Sequence, residues 1–162
     1  MFQLRLLLLL SFLAPAAAAA DNLESLDGNS YALGDIVGHG NWVMVNVWSV
    51  GCSHCITEVP TLIRFHDGNP SGATIVGVAV DYPGFGLAVT DDLVAFKAAH
   101  GINFPVLIAD GESASRFLGE TVDIVPITFA YHPDGRLVAR WHGVISESDL
   151  NEIIRDFSAP GP

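Results

Sequence analysis

Residues 42–58 read WVMVNVWSVGCSHCITE. The first seven form a dense run of aromatic and β-branched side chains, bounded by Gly38, Gly40 and Asn41 before it and by Gly51 after it. So short and continuous an apolar run predicts a buried strand. From Ser53 the pattern changes. Ile56, Val59, Leu62, Ile63 and His66 recur three and four residues apart until Gly68 and Pro70, the spacing of an amphipathic helix. Pro60 falls inside that pattern and predicts a kink, because it has no N–H to offer the carbonyl of residue 56. The corner between strand and helix holds both cysteines of the chain, Cys52 and Cys55.

Outward from this corner, residues 74–80 (TIVGVAV) form a second β-branched run, followed by a loop rich in Gly and Pro. Two such runs flanking a helix predict a βαβ unit with parallel pairing. Residues 93–100 read as a helix, 104–109 as a short strand and 113–118 as a weaker helix stopped by Gly119. Residues 127–131 and 137–141 read as antiparallel strands joined by a turn at Asp134-Gly135. Ser146 and Asp149 have the spacing of a capping box for a last helix ending near Phe157. The expected class is α/β, a mixed central sheet with helices on both faces. Residues 21–29 read as a polar lead-in and 158–162 as a loose tail.

A chain of 162 residues, 50% hydrophobic and 15% charged, fits one globular domain and excludes intrinsic disorder. Residues 1–20 have the order of a secretory signal peptide: Arg5, then an apolar stretch, then Ala18-Ala19-Ala20 before Asp21. Residues 6–20 are too few for a membrane span, which needs about 20, and they include Pro15. Cleavage is therefore expected, leaving a domain of residues 21–162 with no stable membrane insertion; an uncleaved anchor is the alternative. Lipid anchoring through a cysteine is excluded, since the first cysteine is Cys52. The net charge of −11, with 7 Lys and Arg scattered singly, argues against nucleic acid and against anionic membrane surfaces as partners. Two cysteines in an exported chain are expected to pair.

Residues three apart in a helix face the same side, at a Cα separation a disulfide can close. Unpaired N–H groups and the positive end of the dipole at the helix N-terminus stabilise an anion there, so Cys52 is expected to have a depressed thiol pKa. Cys55, deeper in the helix, is expected to be less exposed and less acidic. That asymmetry suits an attacking and a resolving thiol. A structural disulfide is a weaker account, since a loop this short constrains the unfolded chain by only about 2 kcal/mol. Half of a zinc site is another, but no second C-x-x-C or paired His follows. Ser49-x-x-Cys52 also echoes the T-x-x-C of peroxidases of the peroxiredoxin type, although Val45 stands where those carry Pro. From a different class, a metallochaperone could hold Cu(I) on Cys52 and Cys55 with a nearby His.

Val45-Asn46-Val47-Trp48, Cys52-Ser53-His54-Cys55, Glu58, Ile124-Val125-Pro126-Ile127-Thr128-Phe129 and His132-Pro133-Asp134-Gly135-Arg136 together resemble the thioredoxin superfamily. Within it they are similar to the exported thiol–disulfide branch of TlpA-, ResA- and CcmG-like proteins, over roughly residues 33–157. The resemblance implies a thiol–disulfide oxidoreductase of the bacterial periplasm that needs no cofactor and no metal. It would exchange its Cys52–Cys55 pair with protein thiols or disulfides through a mixed disulfide on Cys52, and be served by a membrane redox partner. It further implies that Pro126 is a cis proline and that Val125 offers its backbone to the partner.

Two departures bear on the site. Gly51 stands where this branch usually has an aromatic residue, and Asn46, which cannot titrate, stands where some thioredoxins keep a buried acid. Glu58 is then the candidate general base, with a solvated helix carboxylate as its alternative. His54, last of the residues between the cysteines, would stabilise the Cys52 thiolate and favour the reduced protein. Phe85 is the expected exposed docking aromatic. Trp42 and Trp48 are expected in the core, and the other histidines have no assigned role.

Overall fold

In a computed structural model, residues 21–68 and 70–158 are described; the signal-peptide reading of residues 1–20, and most of the expected tail, lie outside them. In chain order the elements are β1 (Leu23–Ser25), β2 (Ser30–Tyr31), β3 (Val43–Trp48), α1 (Ser53–Gly68), β4 (Thr74–Ala79), α2 (Thr90–His100), β5 (Val106–Ile108), α3 (Gly111–Leu118), β6 (Ile127–Tyr131), β7 (Leu137–His142) and α4 (Glu147–Ser158). The strands form one mixed sheet in the order β2-β1-β5-β4-β3-β6-β7.

All six residues of β3 are buried. Side chains alternate between the faces of a strand, so both faces of the sheet are covered, as the unbroken apolar run predicts. β3 runs parallel to β4 and antiparallel to β6, and β4 runs parallel to β5. The C-terminal ends of β3, β4 and β5 therefore meet at one edge of the sheet, the edge that also receives the start of α1. α1 is continuous across the exposed Pro60. Trp42 and Trp48 are both core residues. Trp48 lies over Gly77 of β4, where a Cβ would come within 2.7 Å of its Nε1, so only glycine leaves room for the indole.

The N-terminal segment differs from expectation. In place of a lead-in, β1 and β2 form an antiparallel hairpin, and β1 adds antiparallel to β5 at Glu24↔Ile108 and Ser25↔Leu107. Leu23 and Ser25 face inward and are buried. The hairpin covers the free backbone groups of β5 that an open edge would expose.

Candidate active site

The C-terminal end of β3 delivers the chain to α1 through a tight turn in which Cys52 N–H donates to the Ser49 carbonyl over 3.2 Å. The Cys52 carbonyl then accepts the first helical hydrogen bond, from Ile56 N–H at 3.1 Å. Cys52 is thus the N-cap of α1. Its Sγ takes the part that a serine or aspartate oxygen plays at such a position, accepting the Cys55 N–H at 3.2 Å. The two cysteines form a disulfide across a Cα separation of 5.2 Å, near the middle of the range such bonds span. Both are buried, Cys52 at 4% and Cys55 at 0% exposure, so the cap position alone retains an opening to solvent. His54 and Ser53 are exposed in the first turn.

Val125 and Pro126 close over the pair from the start of β6. The Val125–Pro126 peptide is cis, and the Val125 carbonyl oxygen lies 3.8 Å from Cys52 Sγ. The disulfide sulfur carries no proton, so this is a contact; a reduced Cys52 thiol would have an acceptor there. The Pro126 carbonyl in turn accepts Gly143 N–H at 2.8 Å, tying the segment to the residues after β7.

Behind Cys55, one turn further along the same helix face, sits Glu58. It is buried at 1% exposure, which removes the solvated-carboxylate alternative. Asn46 Nδ2 donates to its Oε1 at 2.8 Å, and the Ile145 backbone N–H donates to its Oε2 at 3.0 Å. Burial pushes its pKa up to about 7, against the pull of these two donors. Asn46 pairs with Thr128 in the β3–β6 register, and its second amide hydrogen reaches Thr128 Oγ1 at 3.0 Å. Among the described residues Asn46 Oδ1 has no hydrogen-bond partner. The buried-acid position is therefore filled by a neutral donor that orients the acid one helix away.

Gly51 has a physical reason. A Cβ there would stand 2.9 Å from the Tyr82 carbonyl oxygen, because the loop after β4 packs directly onto the Cys52 turn. That loop also corrects the expectation for Phe85. Phe85, at φ +52°, is half-buried over Gly111, where a Cβ would come within 2.9 Å of the Phe85 Cβ. Its carbonyl accepts the Gly111 N–H at 2.8 Å. The exposed aromatic of the loop is Tyr82, at 42%. Neither Tyr82 nor Ile145 carries a motif that marks it for the site.

Among the described residues no group of three or more His, Cys, Asp or Glu is arranged to hold a metal, and no helix is long and apolar enough to cross a membrane. The model of the AhpC/TSA family matches residues 14–140. The chain belongs to the AhpC/TSA family. A relative of this family member is the thiol-disulfide oxidoreductase ResA of Bacillus subtilis, 29% identical over 135 residues that cover 82% of this chain and 69% of ResA. Solved structures of the same fold include a DsbF homologue from Corynebacterium diphtheriae, 24% identical with a TM-score of 0.69, covering 84% of this chain and 83% of that one. A secreted thiol-disulfide isomerase from Corynebacterium glutamicum is 21% identical with a TM-score of 0.70, covering 83% and 80%. The expected resemblance to ResA-like thioredoxin-fold proteins is borne out.

Proposed function

We propose that this AhpC/TSA family member, a thiol–disulfide oxidoreductase, is exported and exchanges its Cys52–Cys55 pair with protein partners through a mixed disulfide on Cys52. The observation that carries the reading is the position of the two sulfurs. Cys52 caps the helix and keeps some exposure to solvent, whereas Cys55 is fully buried one helical turn before Glu58, a buried carboxyl whose pKa is pushed up to about 7. In the direction that reduces a partner, the Cys52 thiolate attacks one partner sulfur, and the other partner sulfur leaves with the electron pair of the broken bond. Cys55 then gives its proton to the Glu58 carboxylate and attacks Cys52 Sγ. The Cys52–Cys55 bond forms as the bond between Cys52 and the partner breaks, and the second partner sulfur leaves with that electron pair. The two partner sulfurs take up the proton held by Glu58 and one from water, so the partner departs as a dithiol with two electrons gained. The reverse sequence oxidises a partner dithiol. A base near pKa 7 matches this work at physiological pH.

Val125 is the proposed backbone docking point, since its carbonyl borders Cys52 Sγ. Export is supported by the signal-like residues 1–20 and by the secreted relatives; periplasmic delivery and a membrane partner that recharges the pair follow as part of the same proposal. A peroxide-reducing role is the less favoured reading of Ser49-x-x-Cys52: Ser49 is buried, and its Oγ accepts the Gly51 N–H at 3.2 Å.

The test is Cys55→Ser in the reduced protein, challenged with a disulfide-bonded protein. A covalent adduct on Cys52 that a reductant releases is the expected result. Adducts that accumulate only when Cys52 is the residue replaced would reverse the roles, and reaction with hydrogen peroxide faster than with any disulfide would overturn the reading.

A further inference from the structure

Among the described residues seven large apolar side chains are left exposed, and three of them stand on the segments that frame the disulfide: Tyr82, Ile124 and Val144. Tyr82 places its carbonyl against Gly51, the residue before Cys52. Ile124 precedes Val125, whose carbonyl touches Cys52 Sγ. Val144 lies between Gly143, bonded to the Pro126 carbonyl, and Ile145, bonded to Glu58. Exposed apolar side chains scattered singly need no explanation, but a set gathered at one opening marks a contact surface. Tyr82 is also held in place. Its ring meets Phe85 edge to face at 6.2 Å, Phe85 is seated on Gly111, and Asp81 N–H closes the loop onto the Gly86 carbonyl at 2.9 Å. A ring fixed before binding loses little conformational freedom on contact.

The charges beside this rim have one sign. Asp81 adjoins Tyr82 and Asp123 adjoins Ile124; both are exposed. Among the described residues neither has a cationic partner, whereas Arg64, Arg116, Arg136, Arg140 and Arg155 are each paired with a carboxylate elsewhere. The surface offered around Cys52 is thus apolar at its centre and negative at its margins.

Building on the proposed exchange reaction, we infer that Tyr82 supplies the aromatic contact that Gly51 cannot, and that the partner is a protein segment with an apolar residue beside its cysteine and a lysine or arginine just beyond. The close approach of the loop excludes a side chain at position 51, and the residue whose carbonyl makes that approach carries an exposed aromatic ring. The carboxylates of Asp81 and Asp123 face the partner's cation, an attraction that also speeds encounter.

The experiment measures how fast reduced single-cysteine peptides open the Cys52–Cys55 disulfide. The peptide thiolate attacks Cys52 Sγ, the Cys52–Cys55 bond breaks, and Cys55 leaves as a thiolate that takes up a proton. The peptides carry leucine or serine before the cysteine, and lysine or glutamate after it. The wild type should favour leucine over serine by about tenfold, the effect of burying roughly half of an aromatic and an aliphatic side chain. Tyr82→Ala should remove most of that preference and Tyr82→Phe should keep it, with the rate toward dithiothreitol unchanged in both. The joint substitution Asp81→Asn and Asp123→Asn should remove the preference for lysine over glutamate, as added salt does in the wild type. A leucine preference that survives Tyr82→Ala, or an equal loss toward dithiothreitol, would overturn the inference and leave the exchange reading intact. Failure of every peptide to form a mixed disulfide on wild-type Cys52 would instead remove both.

Discussion

Two strand-to-helix corners lie on the same edge of the sheet and are built alike. At the end of β5, Asp110 caps α3, its Oδ1 accepting the Ser113 N–H at 2.7 Å. At the end of β3, Cys52 caps α1, its Sγ accepting the Cys55 N–H at 3.2 Å. In each case the side chain of the cap reaches the N–H three residues on. The Asp110 carboxyl is held below its ordinary pKa, first by the Ser113 N–H, with burial pulling the other way. One corner thus records what the end of a helix does to an anion, and the other applies the same arrangement to a sulfur. A permanent carboxylate turns the site into stability. A sulfur that is an anion only when reduced turns it into reactivity, because the stabilisation exists in one redox state alone.

The most severe way to break the parallel is Cys52→Ser. Serine is a good cap, so the fold should persist while disulfide exchange disappears; a thiol-exchange assay beside circular dichroism checks both. Next is Glu58→Gln, which should slow resolution of a trapped partner by about a hundredfold, the scale of one acid–base group. In the wild type that rate should climb as pH rises through about 7, and in the variant that step should be absent, the rate rising only as the Cys55 thiol itself ionises. The same group sets a stability window. Its folded pKa lies above the ordinary value for a glutamate, about 4.5, so its contribution is fully present below about 4.5 and is lost as pH rises through about 7. The loss is about 3 kcal/mol. Denaturant unfolding between pH 4 and 8 should show this decline in the wild type and not in Glu58→Gln.

A smaller effect is expected at His54, the second residue of α1 and exposed beside the cap. Replacing it with proline, which the first turn of a helix tolerates, should lower the reduction potential by about 30 mV, equivalent to about 1.4 kcal/mol for a two-electron couple. The wild-type potential should lie above the roughly −270 mV of thioredoxin. Equilibration against a glutathione series measures both, and an unchanged potential in the variant would limit the tuning to the helix end itself. Smallest is Asp110→Ala, expected to cost about 1 kcal/mol of stability with exchange rates unaltered. A change in exchange would mean that the two corners are coupled and are not independent copies of one motif.

The core of this arrangement was legible because it is local. The runs at 42–48 and 74–80 and the three-and-four spacing after Ser53 place the cysteines at a corner without further information. Glu58 could be singled out by its spacing from Cys55, but not its burial, which depends on Asn46 from β3 and a backbone N–H from Ile145, 87 residues away. A backbone donor leaves no mark in the side-chain pattern. The β1–β2 hairpin was missed for a related reason: three residues and two residues cannot display an alternation, and their pairing with β5 is decided by distant contacts. In the loop after β4, composition pointed to an aromatic near the site but not to which one. Gly111, far along the chain, takes in Phe85 and leaves Tyr82 outside.

The hairpin has a consequence for how the sheet meets other extended chains. One margin of the sheet ends in β2, only two residues long. At the other, the β6–β7 ladder is broken by a register shift between Ala130 and Tyr131. Short strands and bulges make poor templates for polymerisation. If the proposed exchange with protein partners takes place, an extended partner segment meets a docking place at the sulfur and finds little opportunity to zip onto the flanks of the sheet and grow into aggregates.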